Sequence, residues 1–156
     1  MSLVIKPKTE SVLEKIHEFV RDFTGLGNPF ILALLGVLVF GISTNLIILY
    51  ILWALNEVVC SLIKYFFPTE RPVLMKSHNW LERIEASSFP SIHSSRWGVF
   101  VAVACWSGSP GITIGMLFVF MLIIGYTRIF LQKHYWRDVS IGWGIGLAFG
   151  SLVLLL

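Results

Sequence analysis

Residues 127 to 138, Thr-Arg-Ile-Phe-Leu-Gln-Lys-His-Tyr-Trp-Arg-Asp, close a long apolar run with Arg128, His134 and Asp138. His134 and Asp138 are four apart, which places them on one face if a helix continues. A carboxylate there can orient an imidazole and stabilise its protonated or covalently modified state. Arg128 offers a forked donor to an anion. Two earlier segments carry matching groups, Lys64 with Arg71-Pro72 and Pro90-Ser91-Ile92-His93. Taken singly, a Lys or Arg near the end of an apolar helix is a snorkelling anchor, and a lone His is structural. Three separated segments that each deliver a cation or an imidazole to one patch change that reading. Lys64, Arg71 and Arg128 supply positive charge, and His93 and His134 supply two imidazoles. Ser91 adds a hydroxyl beside the backbone N–H groups of a helix start. Such a patch suits a doubly charged anion rich in oxygen, and phosphate fits it.

Phosphoryl transfer at this patch falls to histidine, because no cysteine nucleophile and no carboxylate cluster for magnesium accompanies it. Cys60 and Cys105 lie inside apolar runs without CxxC or zinc spacing and read as small buried hydrophobes. One imidazole can attack phosphorus and be carried as phosphohistidine, while the other protonates the leaving oxygen and later activates water. Asp138 makes His134 the better nucleophile candidate, since it can hold the tautomer that presents the free nitrogen. His93 is left as acid and base.

The elements that must position these groups are those of a membrane chain. Hydrophobic residues make up 56% of the sequence and charged residues 13%, outside the usual soluble range. No charged residue occurs between Phe23 and Asn56, longer than the roughly 20 apolar residues that one crossing needs. The formal charge of +3 is too small, and its Lys and Arg too little interleaved with aromatics, to point to nucleic acid. Residues 9 to 24 place Val12, Leu13, Ile16, Phe19, Val20 and Phe23 at helical spacing, and Ser11 and Glu14 are spaced like a capping box. Glu10, Glu14, Lys15, Glu18, Arg21 and Asp22 take the other side. This is an amphipathic helix expected to lie in the membrane interface, with a helix packed on a soluble partner as the alternative. The mixed charges of the first twenty residues do not resemble a cleaved signal.

Five crossings follow in this reading: 29–43, 46–67, 91–106, 112–131 and 139–156, with turns at 41–45 and 107–111. The long polar stretch 68–89 carries Trp80 as an interfacial anchor. The expected fold is thus an all-α integral membrane bundle of about five transmembrane helices in a single domain, 1–156. Residues 1–28 form its amphipathic N-terminal segment. In this topology the ends of crossings two and four and the start of crossing three meet on one side of the membrane. Gly142, Gly146 and Gly150 recur every four residues, a stripe that either packing within the bundle or dimerisation explains.

The spacing Lys64-x6-Arg71-Pro72, then Pro90-Ser91-x-His93, then Arg128-x5-His134-x3-Asp138 resembles the three-part signature of the type 2 phosphatidic acid phosphatase (PAP2) superfamily of membrane phosphatases. The resemblance spans residues 64 to 138, with three motifs in order and correctly spaced. It implies His134 as nucleophile, Asp138 as its partner and His93 as general acid. It implies Lys64, Arg71, Ser91, Ile92 through its N–H, and Arg128 as phosphate ligands, with no metal or other cofactor. Ile92 stands where the family usually has Gly, which makes that loop bulkier. Thr127 stands where Ser is common, and one early crossing of the family's six is replaced by the amphipathic segment.

Glu57, Ser61 and Lys64 share a helix face toward the site. An unpaired carboxylate at the bilayer centre costs on the order of 3 kcal/mol, so Glu57 needs a partner or water; a structural polar pair between helices is the alternative. The pair Asn56-Glu57 resembles the dolichyl-diphosphate phosphatase branch, which implies a long-chain polyprenyl diphosphate substrate. Hydrolysis of phosphatidate or phosphatidylglycerophosphate is the alternative, and a non-enzymatic lipid-binding or transport subunit a third reading. Arg96 could reach a second phosphate or serve as an interfacial anchor. Trp80 and Trp136 flank the site at lipid height, while His17 and His78 give only weak metal-site spacing. All twelve Lys and Arg residues fall on the site side or its rim, so a positive-inside count places the site in the cytoplasm. The resemblance implies instead an extracytoplasmic or lumenal site, and that is the expectation adopted.

Overall fold

The computed structural model describes residues 12–73, 79, 82, 84 and 86–155. The expectations placed on Ser11, His78 and Trp80 lie outside the described residues. All regular structure among the described residues is helical: α1 Val12–Phe23, a 3-10 turn Thr24–Gly27, α2 Pro29–Phe40, α3 Thr44–Phe66, α4 Ile92–Trp106, α5 Gly111–Phe130, α6 Trp136–Ser151 and a closing 3-10 turn Leu152–Leu155.

Local chemistry fixes the breaks. The Asn28 side chain accepts from the Phe30 N–H at 2.9 Å, and Pro29 stands at the first helical position, where its missing N–H costs nothing. The chain bends by 60° between α1 and α2. Gly41, at φ +60, ends α2 in a backbone region that a side chain would strain. α5 stops at Phe130, and Gln132 takes a left-handed φ of 53 that turns the chain back.

Helices α3 and α5, and α6 with its 3-10 extension, are each long and apolar enough to cross a bilayer, and the bent α1–α2 pair makes a fourth if it counts as one span. The chain is an integral membrane helical bundle. Two of the five expected crossings fall short of that standard alone. α2 has 12 residues and α4 has 15, which is about 22 Å of rise for α4 against about 30 Å of hydrocarbon. Length counts less for α4 because its neighbours enclose it: Trp97, Val99, Phe100, Val103 and Ala104 are all buried. Leu55, Val58, Leu62, Phe118, Val119 and Ile141 face outward, as lipid-facing positions do.

The Gly stripe of α6 packs within the bundle. A Cβ added at Gly142 would lie 2.6 Å from the Ser91 carbonyl oxygen, and one at Gly150 2.7 Å from that of Val99. At Gly146 it would overlap the Ser95 carbonyl and lie 3.0 Å from Gly98 Cα. Backbone therefore meets backbone along α4 and α6, the most closely packed helix pair among the described residues, and the Ser91 N–H bond to the Asp138 carbonyl fixes the head of α4 against the start of α6.

Candidate active site

His134 does not continue a helix with Asp138. It sits in the turn between α5 and α6, its N–H bonded to the Arg128 carbonyl at 3.2 Å, and Asp138 is in the first turn of α6. The helix expected through 134–138 is interrupted because α5 has already ended at Phe130. The His134 Nδ1 lies 2.6 Å from the Ser88 carbonyl oxygen. A carbonyl can only accept, so Nδ1 carries the proton and Nε2 keeps the lone pair. Asp138 is fully buried, yet its Oδ2 is 4.0 Å from that Nδ1. The same Oδ2 accepts the Tyr135 N–H at 2.9 Å and so caps α6. The tautomer expected from Asp138 is thus set at shorter range by Ser88.

The loop that presents the Ser88 carbonyl is knitted to the segment before Arg71. Ser88 N–H donates to the Thr69 carbonyl at 2.9 Å, Phe89 N–H to Thr69 Oγ1 at 2.9 Å, and Ser88 Oγ to the Glu70 carbonyl at 3.0 Å. Lys64, in the last turn of α3, donates through Nζ to the Ser87 carbonyl, leaving two of its three ammonium donors for other acceptors. Lys64, Arg71 and Arg128 all lie close enough to His134 to act on its charge. Burial and then these cations push the His134 imidazole down to about 2. Arg128 is buried, and its Nε meets no acceptor among the described residues.

Ser91, expected as a phosphate ligand, stands at the joint between α4 and α6. It is fully buried, its N–H donates to the Asp138 carbonyl at 3.0 Å, and its hydroxyl accepts from Ser94 Oγ at 3.0 Å. Both contacts join α4 to α6. At the head of α4 the N–H groups of Ile92, His93 and Ser94 have no intrahelical acceptor, and the Ser91 hydroxyl keeps its own proton to donate. His93 lies within electrostatic reach of Arg128, Arg96, His134 and Lys133. A cleft of 680 Å³ opens beside the cluster between Thr69 and Glu70 on one wall and Tyr135, Trp136 and Arg137 on the other.

Glu57 and Arg96 find each other. Arg96 donates from Nε and Nη2 to the two carboxylate oxygens of Glu57, the second at 3.0 Å. This is the structural pair between helices, and it commits Arg96 neither to a second phosphate nor to the interface. Asn56 is also engaged: its Oδ1 accepts from Ser95 Oγ on α4. Sequence reasoning missed Ser87 and Ser88 because they act through backbone carbonyls; the one available signal was a polar Ser-Ser pair directly before the Phe89-Pro90 motif. Among the described residues no three His, Cys, Asp or Glu side chains group to hold one ion.

Comparison with known proteins gives the family. The family model of the PAP2 superfamily matches residues 44–156. The structure is similar to that of Aquifex aeolicus LpxE, with a TM-score of 0.75 and 25% identity over 95% of this chain and 89% of that one. It also shares its fold with a transmembrane PAP2 type phosphatidylglycerolphosphate phosphatase from Bacillus subtilis, with a TM-score of 0.69 and 19% identity over 97% of this chain and 78% of that one. No curated protein matches the sequence. With the family model covering every motif residue from Lys64 to Asp138, the chain belongs to the PAP2 superfamily and is a membrane phosphatase.

Proposed function

We propose that the chain removes phosphate from a membrane lipid by a double displacement through His134, without a metal. The Nε2 lone pair attacks phosphorus, and an N–P bond forms as the P–O bond to the leaving group breaks. His93, entering as the imidazolium beside the bound phosphate dianion, gives its proton to the departing oxygen and becomes neutral. A water then attacks the phosphohistidine and passes its proton to His93, the N–P bond breaks, and inorganic phosphate leaves with both imidazoles restored. Lys64, Arg71 and Arg128, with the N–H groups of Ile92 and His93, would neutralise the phosphoryl oxygens. Asp138 would stabilise the positive charge that develops on His134. One observation carries this reading: the imidazole is pinned through Nδ1 by the Ser88 carbonyl, and three cations from three segments surround it.

For the substrate we propose a polyprenyl diphosphate, on the strength of the Asn56-Glu57 pair. A glycerolipid monophosphate such as phosphatidate or phosphatidylglycerophosphate is the second reading, favoured by the engagement of Asn56 by Ser95 and of Glu57 by Arg96. Glu57 is then committed to Arg96, and of Asn56 only the Nδ2 donor is left without a partner among the described residues. A panel of these three lipids, assayed in detergent with chelator on wild type and His134→Ala, tests both levels. Chelator-resistant phosphate release that His134→Ala abolishes is expected, with the fastest lipid naming the substrate class. Release that requires magnesium or survives His134→Ala would overturn the mechanism.

A further inference from the structure

We infer that Gly27, in the turn between α1 and α2, is a positioning residue for His93, held in place by the Arg96–Glu57 pair. The inference rests on the acid and base role proposed for His93. Gly27 lies before the region matched by the family model, which begins at residue 44, so this wall of the site is contributed from outside the three motifs.

A Cβ built on Gly27 would overlap the His93 ring at Cδ2 and lie 3.2 Å from its Cγ. The backbone of residue 27 is therefore in direct contact with the imidazole, and only glycine permits the approach. That backbone is not free to retreat. The Gly27 carbonyl accepts from Arg96 Nη1 at 3.0 Å, and the remaining nitrogens of the same guanidinium are fixed by Glu57 of α3. Three residues upstream, the Thr24 hydroxyl meets Thr127 Oγ1 at 2.9 Å; since Thr127 itself donates to the Ile124 carbonyl, Thr24 is the donor. The turn is thus tied to α4 at Arg96 and to α5 at Thr127, one residue before Arg128. Arg96 follows His93 by three residues, so one turn of α4 carries both the imidazole and the clamp that holds its wall. Held against Gly27, the ring lies within electrostatic reach of Arg128 and His134.

Positioning of a general acid has a signature that loss of packing lacks: it matters in proportion to how badly the leaving group needs a proton. The test compares phosphoryl transfer in single turnovers from two substrates. One is an alkyl lipid phosphate; the other is an analogue in which a nitrophenol carries the chain and leaves without protonation. In Gly27→Ala the methyl group displaces the ring, which can rotate, rather than the clamped backbone. The rate on the alkyl substrate is expected to fall about 100-fold, with less than about 10-fold loss on the nitrophenyl analogue, in line with the usual contribution of general acid catalysis. Arg96→Lys keeps the charge but cannot span both Glu57 and the Gly27 carbonyl. It is expected to show the same preference at about 10-fold, and it decides the matter if Gly27→Ala does not fold. Equal losses on both substrates, or wild-type rates on both, would overturn the positioning role. His134→Ala, run alongside, separates the two levels. Retained transfer there overturns the histidine mechanism and this inference with it, whereas an inert His134→Ala beside an unselective Gly27→Ala overturns the inference alone.

Discussion

Because the Ser88 carbonyl takes the Nδ1 proton of His134, the contribution left to Asp138 is charge, and a charge at 4.0 Å is worth less than control of the tautomer. In serine-protease triads, where the carboxylate does set the tautomer, the Asn replacement costs about 10⁴ in kcat. Here Asp138→Asn keeps an acceptor for the Tyr135 N–H, so the cap on α6 survives. Its kcat is expected to fall about 10- to 100-fold with little change in Tm; a loss near 10⁴ would mean that Asp138 governs the tautomer after all. The protonation state gives a second prediction. With its pKa pushed far down by burial and the neighbouring cations, His134 stays neutral in the folded protein. Stability is then fully present above about pH 6.5, the ordinary imidazole value, and is lost progressively as the unfolded chain gains a proton below it. The His134 ring signals in NMR spectra of the detergent-solubilised protein are expected not to move between about pH 5 and 8, and a midpoint near about 6.5 would contradict the environment described. The motif side chains were legible because phosphate chemistry needs their types in that spacing. The Ser88 carbonyl was not, since every residue carries one and only the fold selects which is used.

Among the elements, α4 and α6 show where sequence runs out. The spacing of Gly142, Gly146 and Gly150 announced close helix contact, but a repeat of small residues is the same signal whether the partner is in the bundle or in a second copy. Only the backbone contacts to Ser91, Ser95 and Gly98 choose between them. The polar residues buried in apolar helices had the same ambiguity. Glu57 required a partner, and Arg96 was in view, but one lies on α3 and the other on α4, thirty-nine residues on. The bounds of the crossing at 91–106 were legible to within a residue, as α4 shows, but not that enclosure by its neighbours replaces lipid contact there. The glycine contacts yield a paired prediction. Gly146→Ala forces a methyl group against backbone that cannot rotate away, and about 2 kcal/mol of stability should be lost by overpacking. Gly144 faces open space two residues earlier, and Gly144→Ala should leave stability unchanged or raise it by about 0.5 kcal/mol through helix propensity. Thermal unfolding in one detergent checks both, and equal Tm values for the two variants would contradict the packing of α4 on α6.

Across the whole molecule, charge is distributed along the membrane normal in a way that bears on which face the site occupies. α3 and α5 end at the site and α4 and α6 begin there. The other end is built from residues 41–45, 107–111 and 150–155, and these contain no Lys, Arg, Asp or Glu. The cations on the site side include Lys64, Arg71 and Arg128, gathered around His134 rather than spread along a loop. Arg96 is neutralised by Glu57, and Arg21 lies beside Glu18 and Asp22. A positive-inside count registers such residues although chemistry or pairing already accounts for them, and the far end offers no opposing count. The proposed extracytoplasmic or lumenal orientation therefore predicts that the 107–111 turn is cytoplasmic. In a Cys105→Ser background, Ser109→Cys should react with a membrane-impermeant maleimide in inverted vesicles and not in intact cells. Adding Lys at Gly108 should strengthen that orientation, because a basic residue would then mark the cytoplasmic turn. Labelling from the outside of intact cells would place the cluster of His93 and His134 at the cytoplasmic face, and the lipid phosphates it meets would be those of the inner leaflet.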